Sequence, residues 1–88
     1  MEILILSILL EKPMHGYGVI STLAEITGFE FSPGAIYPLL YKLEKLELVR
    51  SKWKQIGERK RIKLYELTEN GRKILDKLRD KLRVVLRE

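Results

Sequence analysis

Residues 31–71, FSPGAIYPLLYKLEKLELVRSKWKQIGERKRIKLYELTENG, change their hydrophobic period part-way along, and that change decides the fold. Ser32 offers a hydroxyl that can accept a backbone N–H at a helix start, Pro33 suits the first helical position, and Phe31 can staple onto Ile36. Ile36, Leu39, Leu40, Leu43 and Leu46 then recur at helical spacing as a core stripe, which leaves Gly34, Tyr37, Tyr41, Lys42 and Lys45 on the outward face. Past Glu47 the period falls to two. Val49, Ser51 and Trp53 alternate with Arg50, Lys52 and Lys54, and beyond Gly57 the series Arg61, Lys63, Tyr65 and Leu67 alternates with Ile62, Leu64 and Glu66. This reads as a β-hairpin rich in basic residues.

Upstream, Ile3, Leu4, Leu6, Ile8, Leu9 and Leu10 are apolar almost all round, as expected of a helix buried on several sides, and Pro13 closes it. The run is too short to span a bilayer, and Glu2 stands where a signal peptide would be basic. From Tyr17 to Thr27, Val19, Ile20, Leu23 and Ile26 mark a second helix, with Gly28 as its C-terminal stop. Downstream, Thr68 caps a last helix reaching nearly to Glu88, with Glu69 at its positive end and Arg87 near its negative end. Pro38 removes one helical hydrogen bond inside the third helix, and a local bend is expected there.

Three helices, a basic hairpin and a fourth helix make a mainly α chain in the order of a winged helix-turn-helix, whose third helix enters the DNA major groove. The expected organisation is a DNA-binding unit over residues 1–67 and a C-terminal dimerisation helix over residues 68–88. Charge follows the same division. The 17 Lys and Arg outnumber the 12 Asp and Glu for a net +5, and 88 residues with 45% hydrophobic content suit one small domain. From Lys42 to Lys63 nine basic residues face three acidic ones, a net of +6, whereas the first 41 residues carry Lys12 against four glutamates. A basic wing on a winged helix points to double-stranded DNA as the partner.

Other chemistries are poorly supplied. There is no Cys, which excludes disulfides and thiolate metal sites and is compatible with a reducing cytoplasm. His15 is the only histidine and no ligand cluster surrounds it in sequence, so no metal or cofactor is expected and loop anchoring is its reading. No nucleophile–base pair or phosphate-cradling glycine motif suggests an enzyme. The competing reading is a winged-helix protein-interaction module, whose mark would be an apolar or acidic third-helix face and a neutral wing.

Three motifs make the pattern more specific. His15-Gly16-Tyr17 opens the second helix, Ser32-Pro33-Gly34-Ala35-Ile36-Tyr37-Pro38 opens the third, and Tyr65-Glu66-Leu67-Thr68-Glu69-Asn70-Gly71 follows the wing. In that order they resemble the PadR-like transcriptional regulators. The resemblance implies a dimeric repressor whose third helix and wing hold operator DNA and whose C-terminal helix dimerises. With the outward face of helix three and the basic wing tip, this puts the expected DNA contacts at Ser32, Gly34, Ala35, Tyr37, Tyr41, Lys42 and Lys45 of helix three and at Arg59, Lys60 and Arg61 of the wing tip. Dimer contacts are expected from Ile3 and Leu6 of helix one and from the heptad-like seam Leu75, Leu78, Leu82 and Val85, widened by Ile74 and Leu86. The family usually has glycine where this chain has Glu47, so helix three is expected to end without a left-handed residue. No effector follows from these residues: family members that sandwich flat drugs use a tryptophan in the dimer helix, and the one tryptophan here, Trp53, lies in the hairpin.

Overall fold

The structure, a computed structural model, describes the backbone of residues 1–86 and the side chains of residues 1–83. In chain order it contains α1 (Glu2–Glu11), β1 (Met14–His15), α2 (Gly16–Thr27), α3 (Pro33–Lys45), β2 (Val49–Ile56), β3 (Lys60–Leu67) and α4 (Glu69–Leu86). The helices begin and end where local chemistry directs. His15 caps α2 through Nδ1, which accepts the Gly18 N–H at 3.1 Å, and Gly28 ends that helix at φ 78° while donating its own N–H to the Ala24 carbonyl. Ser32 Oγ accepts the Ala35 N–H at 3.2 Å to open α3, and the helix runs without interruption through Pro38. Thr68 Oγ1 accepts the Gly71 N–H at 3.1 Å and donates to the Glu47 carbonyl at 2.6 Å, tying the start of α4 to the exit of α3.

Glu47 takes the left-handed conformation at φ 60°, contrary to the expectation of another geometry. Its neighbours explain why: the Leu48 N–H bonds back to the Leu43 carbonyl and the Glu47 carbonyl receives Thr68, so two hydrogen bonds hold a turn that glycine would enter without strain.

The hairpin gains a third strand. Two-residue β1 pairs antiparallel with β3, Met14 opposite Tyr65 and His15 opposite Leu64, so β3 is central in the order β1-β3-β2. Between β2 and β3 the register runs from Val49 opposite Leu67 to Ile56 opposite Lys60. Since opposed residues share a face, Val49, Ser51, Trp53, Gln55, Arg61, Lys63, Tyr65 and Leu67 lie on one side of the wing. Val49 and Tyr65 at its root are buried, so this side faces the helices and continues past them toward the tip.

The core is Ile5, Leu6, Ile8 and Leu9 of α1, Val19 and Leu23 of α2, Ile36, Leu40 and Leu43 of α3, with Val49, Tyr65 and Leu75. α1 packs against α2, α3, β3 and α4 together, as its all-round apolar surface requires. Two stripe residues depart from expectation. Ile26 and Leu46 are exposed, because each falls in the last turn or cap of its helix, where the axis has already left the core. Leu6 and Leu75, expected at a dimer surface, are buried in the chain's own core, which α4 joins by packing on α1. Ile3 and Leu82 are exposed and Leu78 half-buried, so the apolar strip left on the outside is narrower than the sequence seam. The Val85 and Leu86 side chains and Arg87 lie outside the described residues. No helix among the described residues is long and apolar enough to cross a membrane.

Candidate nucleic-acid interface

The outward face of α3 holds most of the residues assigned to it. Ser32, Gly34, Ala35, Tyr41, Lys42 and Lys45 are all exposed. Ser32 and Ala35 also serve the helix cap, which fixes the N-terminal turn that would meet a groove. Lys45 Nζ lies 4.9 Å from the centre of the Tyr41 ring, a cation–π contact that keeps the pair together on the surface.

Two residues of this face are more committed within the chain than their spacing implied. Lys42 Nζ is 3.2 Å from Glu2 Oε2, so its charge is shared with the start of α1. A backbone hydrogen bond, reinforced by the Lys42 ammonium, holds the Glu2 carboxyl below the usual range. Tyr37 is half-buried rather than fully outward. Its ring meets Tyr17 edge-on at 6.2 Å and lies over Gly16, where an added methyl group would overlap the phenol. The glycine of the His15-Gly16-Tyr17 motif therefore makes room for the tyrosine of α3. Burial, and to a lesser degree Tyr17, pushes the Tyr37 phenol up.

At the wing tip, Gly57 turns at φ 70° and Arg59, Lys60 and Arg61 are exposed, Arg59 in the turn and the other two opening β3. The two faces of the wing differ. On the outer face Arg50 Nε and Lys52 Nζ share the Glu66 carboxylate at 2.5 and 3.7 Å, which offsets their charge. On the helix-side face Arg61 and Lys63 lie over the exposed Trp53 ring at 5.2 and 6.0 Å, and Lys63 is also 5.7 Å from the Tyr65 ring. Tyr17, Trp53 and Lys63 were not assigned to the site from sequence. The signal lay in the alternation, which set Trp53, Arg61 and Lys63 on one side without saying which side the helices cover.

This arrangement matches known proteins in sequence and shape. Residues 5–77 match the family described as "Transcriptional regulator PadR-like family". The chain belongs to that family. A crystal structure of a PadR family transcription regulator from Clostridium difficile R20291 superposes with a TM-score of 0.87 at 29% identity, covering 98% of this chain and 90% of that one. The structure of Bacillus subtilis PadR in complex with operator DNA gives a TM-score of 0.78 at 26% identity, over 88% of this chain and 45% of that one. An uncharacterized 37.1 kDa protein in transposon TN4556 of Streptomyces fradiae is 32% identical over 76 residues, and the matched stretch spans only 21% of that protein. The fold is thus the PadR-like winged helix, with four helices and a three-stranded antiparallel sheet.

Proposed function

We propose that this PadR-like chain is a sequence-specific duplex-DNA-binding repressor of transcription that acts as a homodimer, with residues 1–67 as the DNA-binding unit and residues 68–88 as the dimerisation helix. The observation that carries the DNA reading is the pairing of an exposed polar and basic α3 face with an exposed basic wing tip. Tyr41 and Lys45 on α3 and Arg59, Lys60 and Arg61 on the wing lie on the two elements that a winged helix offers to a duplex. The operator complex of Bacillus subtilis PadR, similar over most of this chain, supports the same use of the fold. α3 residues read base edges in the major groove, and the wing cations hold phosphates.

The dimer rests on the apolar strip outside α1 and α4. Ile3, Ser7, Leu75, Leu78 and Leu82, with Arg79, line a shallow groove of about 160 Å³, and Ile3 and Leu82 are half or more exposed. A second copy covers that strip through a two-fold contact and presents two α3 helices to one side of DNA, which asks for a roughly palindromic site with half-sites ~10 base pairs apart or a multiple of that.

Binding of random-sequence and selected duplexes across a salt series tests the reading. Affinity should fall linearly on logarithmic axes with a slope of several phosphates, since each neutralised phosphate releases counterions. Affinity for neither duplex, or affinity indifferent to salt, would point instead to a protein-interaction module.

A further inference from the structure

A cleft of about 320 Å³ opens between the start of α2, the outer face of α3 and the helix-side face of the wing. Half of its lining is aromatic, Tyr17, Tyr37, Trp53 and Tyr65, and Lys63 lines it together with His15, Gly16 and Ile62. No carboxylate is among its lining residues. Arg61, on the same face of the wing, lies over Trp53 from the tip side. Trp53 is 61% exposed and Tyr17 62%, an unusual amount of aromatic surface to leave in water beside two cations.

We infer that this cleft seats one strand of the DNA backbone where it crosses between the grooves, with the Trp53 ring packed on a deoxyribose and Arg61 and Lys63 on the flanking phosphates. The inference deepens the DNA-binding reading above and rests on it. Three observations favour this occupant. The cleft is continuous with the α3 face through Tyr37, so a duplex meeting α3 passes over it. The wing is asymmetric in charge: Glu66 takes up Arg50 and Lys52 on the outer face, while the described ion pairs include neither Arg61 nor Lys63. The cleft therefore attracts an anion, and its aromatic walls ask that the anion carry an apolar body, as a sugar–phosphate chain does. Finally, neither of the chain's two side-chain amides, Gln55 and Asn70, lines the cleft, so the bidentate amide group that reads adenine is missing there, as suits a contact made to sugar and phosphate.

Since Trp53 is the only tryptophan, its emission reports the cleft directly. The experiment titrates the protein with a fluorescein-labelled random-sequence duplex and follows label anisotropy and Trp53 emission together. Both should saturate at the same duplex concentration. Trp53→Ala should weaken random and selected duplexes alike by about tenfold, the scale of loss when a well-packed interface tryptophan is truncated, and Trp53→Phe should recover most of the loss. Lys52→Gln, on the outer face, should stay within about twofold of the unmodified protein. Trp53 is exposed, so its replacement leaves the core intact, and an unchanged circular dichroism melt checks this. Binding by anisotropy with unaltered Trp53 emission, full affinity in Trp53→Ala, or a loss confined to one sequence overturns the seat alone. Absence of any anisotropy change overturns the DNA-binding reading with it.

Discussion

Tyr65 places a phenol in a core that is otherwise aliphatic, beneath the wing and beside Glu44. Burial, then the charge of Glu44, then Tyr37, push its ionisation up. The direction fixes a pH dependence. A folded-state value above the unfolded one means that the stability tied to the neutral phenol is complete below the ordinary tyrosine range near pH 10 and is lost as pH rises through the folded value. Alkaline titration followed by phenolate absorbance and by circular dichroism should therefore show part of the absorbance arriving together with loss of helix. Tyr65→Phe, which cannot ionise, should move alkaline unfolding to higher pH; an unchanged midpoint would sink the assignment. Lys42 looks like a free cation of α3, yet its partner Glu2 is 40 positions away, a pairing that no local pattern encodes.

Among the elements, the caps of α3 and α4 were readable because Ser32 and Thr68 each need only a hydroxyl and an N–H three residues on, whereas the His15 cap of α2, read as a loop anchor, was not, histidine being no usual cap residue. The hairpin was readable from its alternation. Strand β1 was not: two residues show no period, and their strand character comes entirely from pairing with Tyr65 and Leu64. Ile26 and Leu46 kept helical spacing past the point where their helices leave the core, so periodicity overstated the stripe. The end of α3 is the element with a testable strain. Glu47 is exposed and left-handed, a conformation that costs a non-glycine residue about 1 kcal/mol. Glu47→Gly should relieve that strain and stabilise by at most roughly 0.5 kcal/mol, most of the gain being offset by the greater freedom of glycine when unfolded. A urea midpoint that rises with an unchanged slope would show it; a fall would mean that the Glu47 side chain contributes more than its backbone costs.

For the whole molecule, the proposed dimer turns on the narrow strip left after Leu6 and Leu75 are buried within the chain. Leu78→Glu together with Leu82→Glu sets carboxylates in that strip without touching a fully buried side chain, so the subunit should stay folded while desolvation and repulsion separate the pair. Sedimentation at micromolar concentration should then change from dimer to monomer, with operator affinity falling sharply. If the unmodified protein sediments as a monomer, or the double variant remains a dimer, the strip is only a subunit surface. The position of α1 has one further effect, on how the chain comes off the ribosome. Ile5, Leu6, Ile8 and Leu9 are made some sixty residues before Tyr65 and Leu75, against whose elements α1 packs. At ~5–20 residues per second, that apolar helix waits several seconds for the rest of its core. Synthesis thus leaves the stickiest segment of the protein uncovered longest, within reach of any chaperone at the exit tunnel.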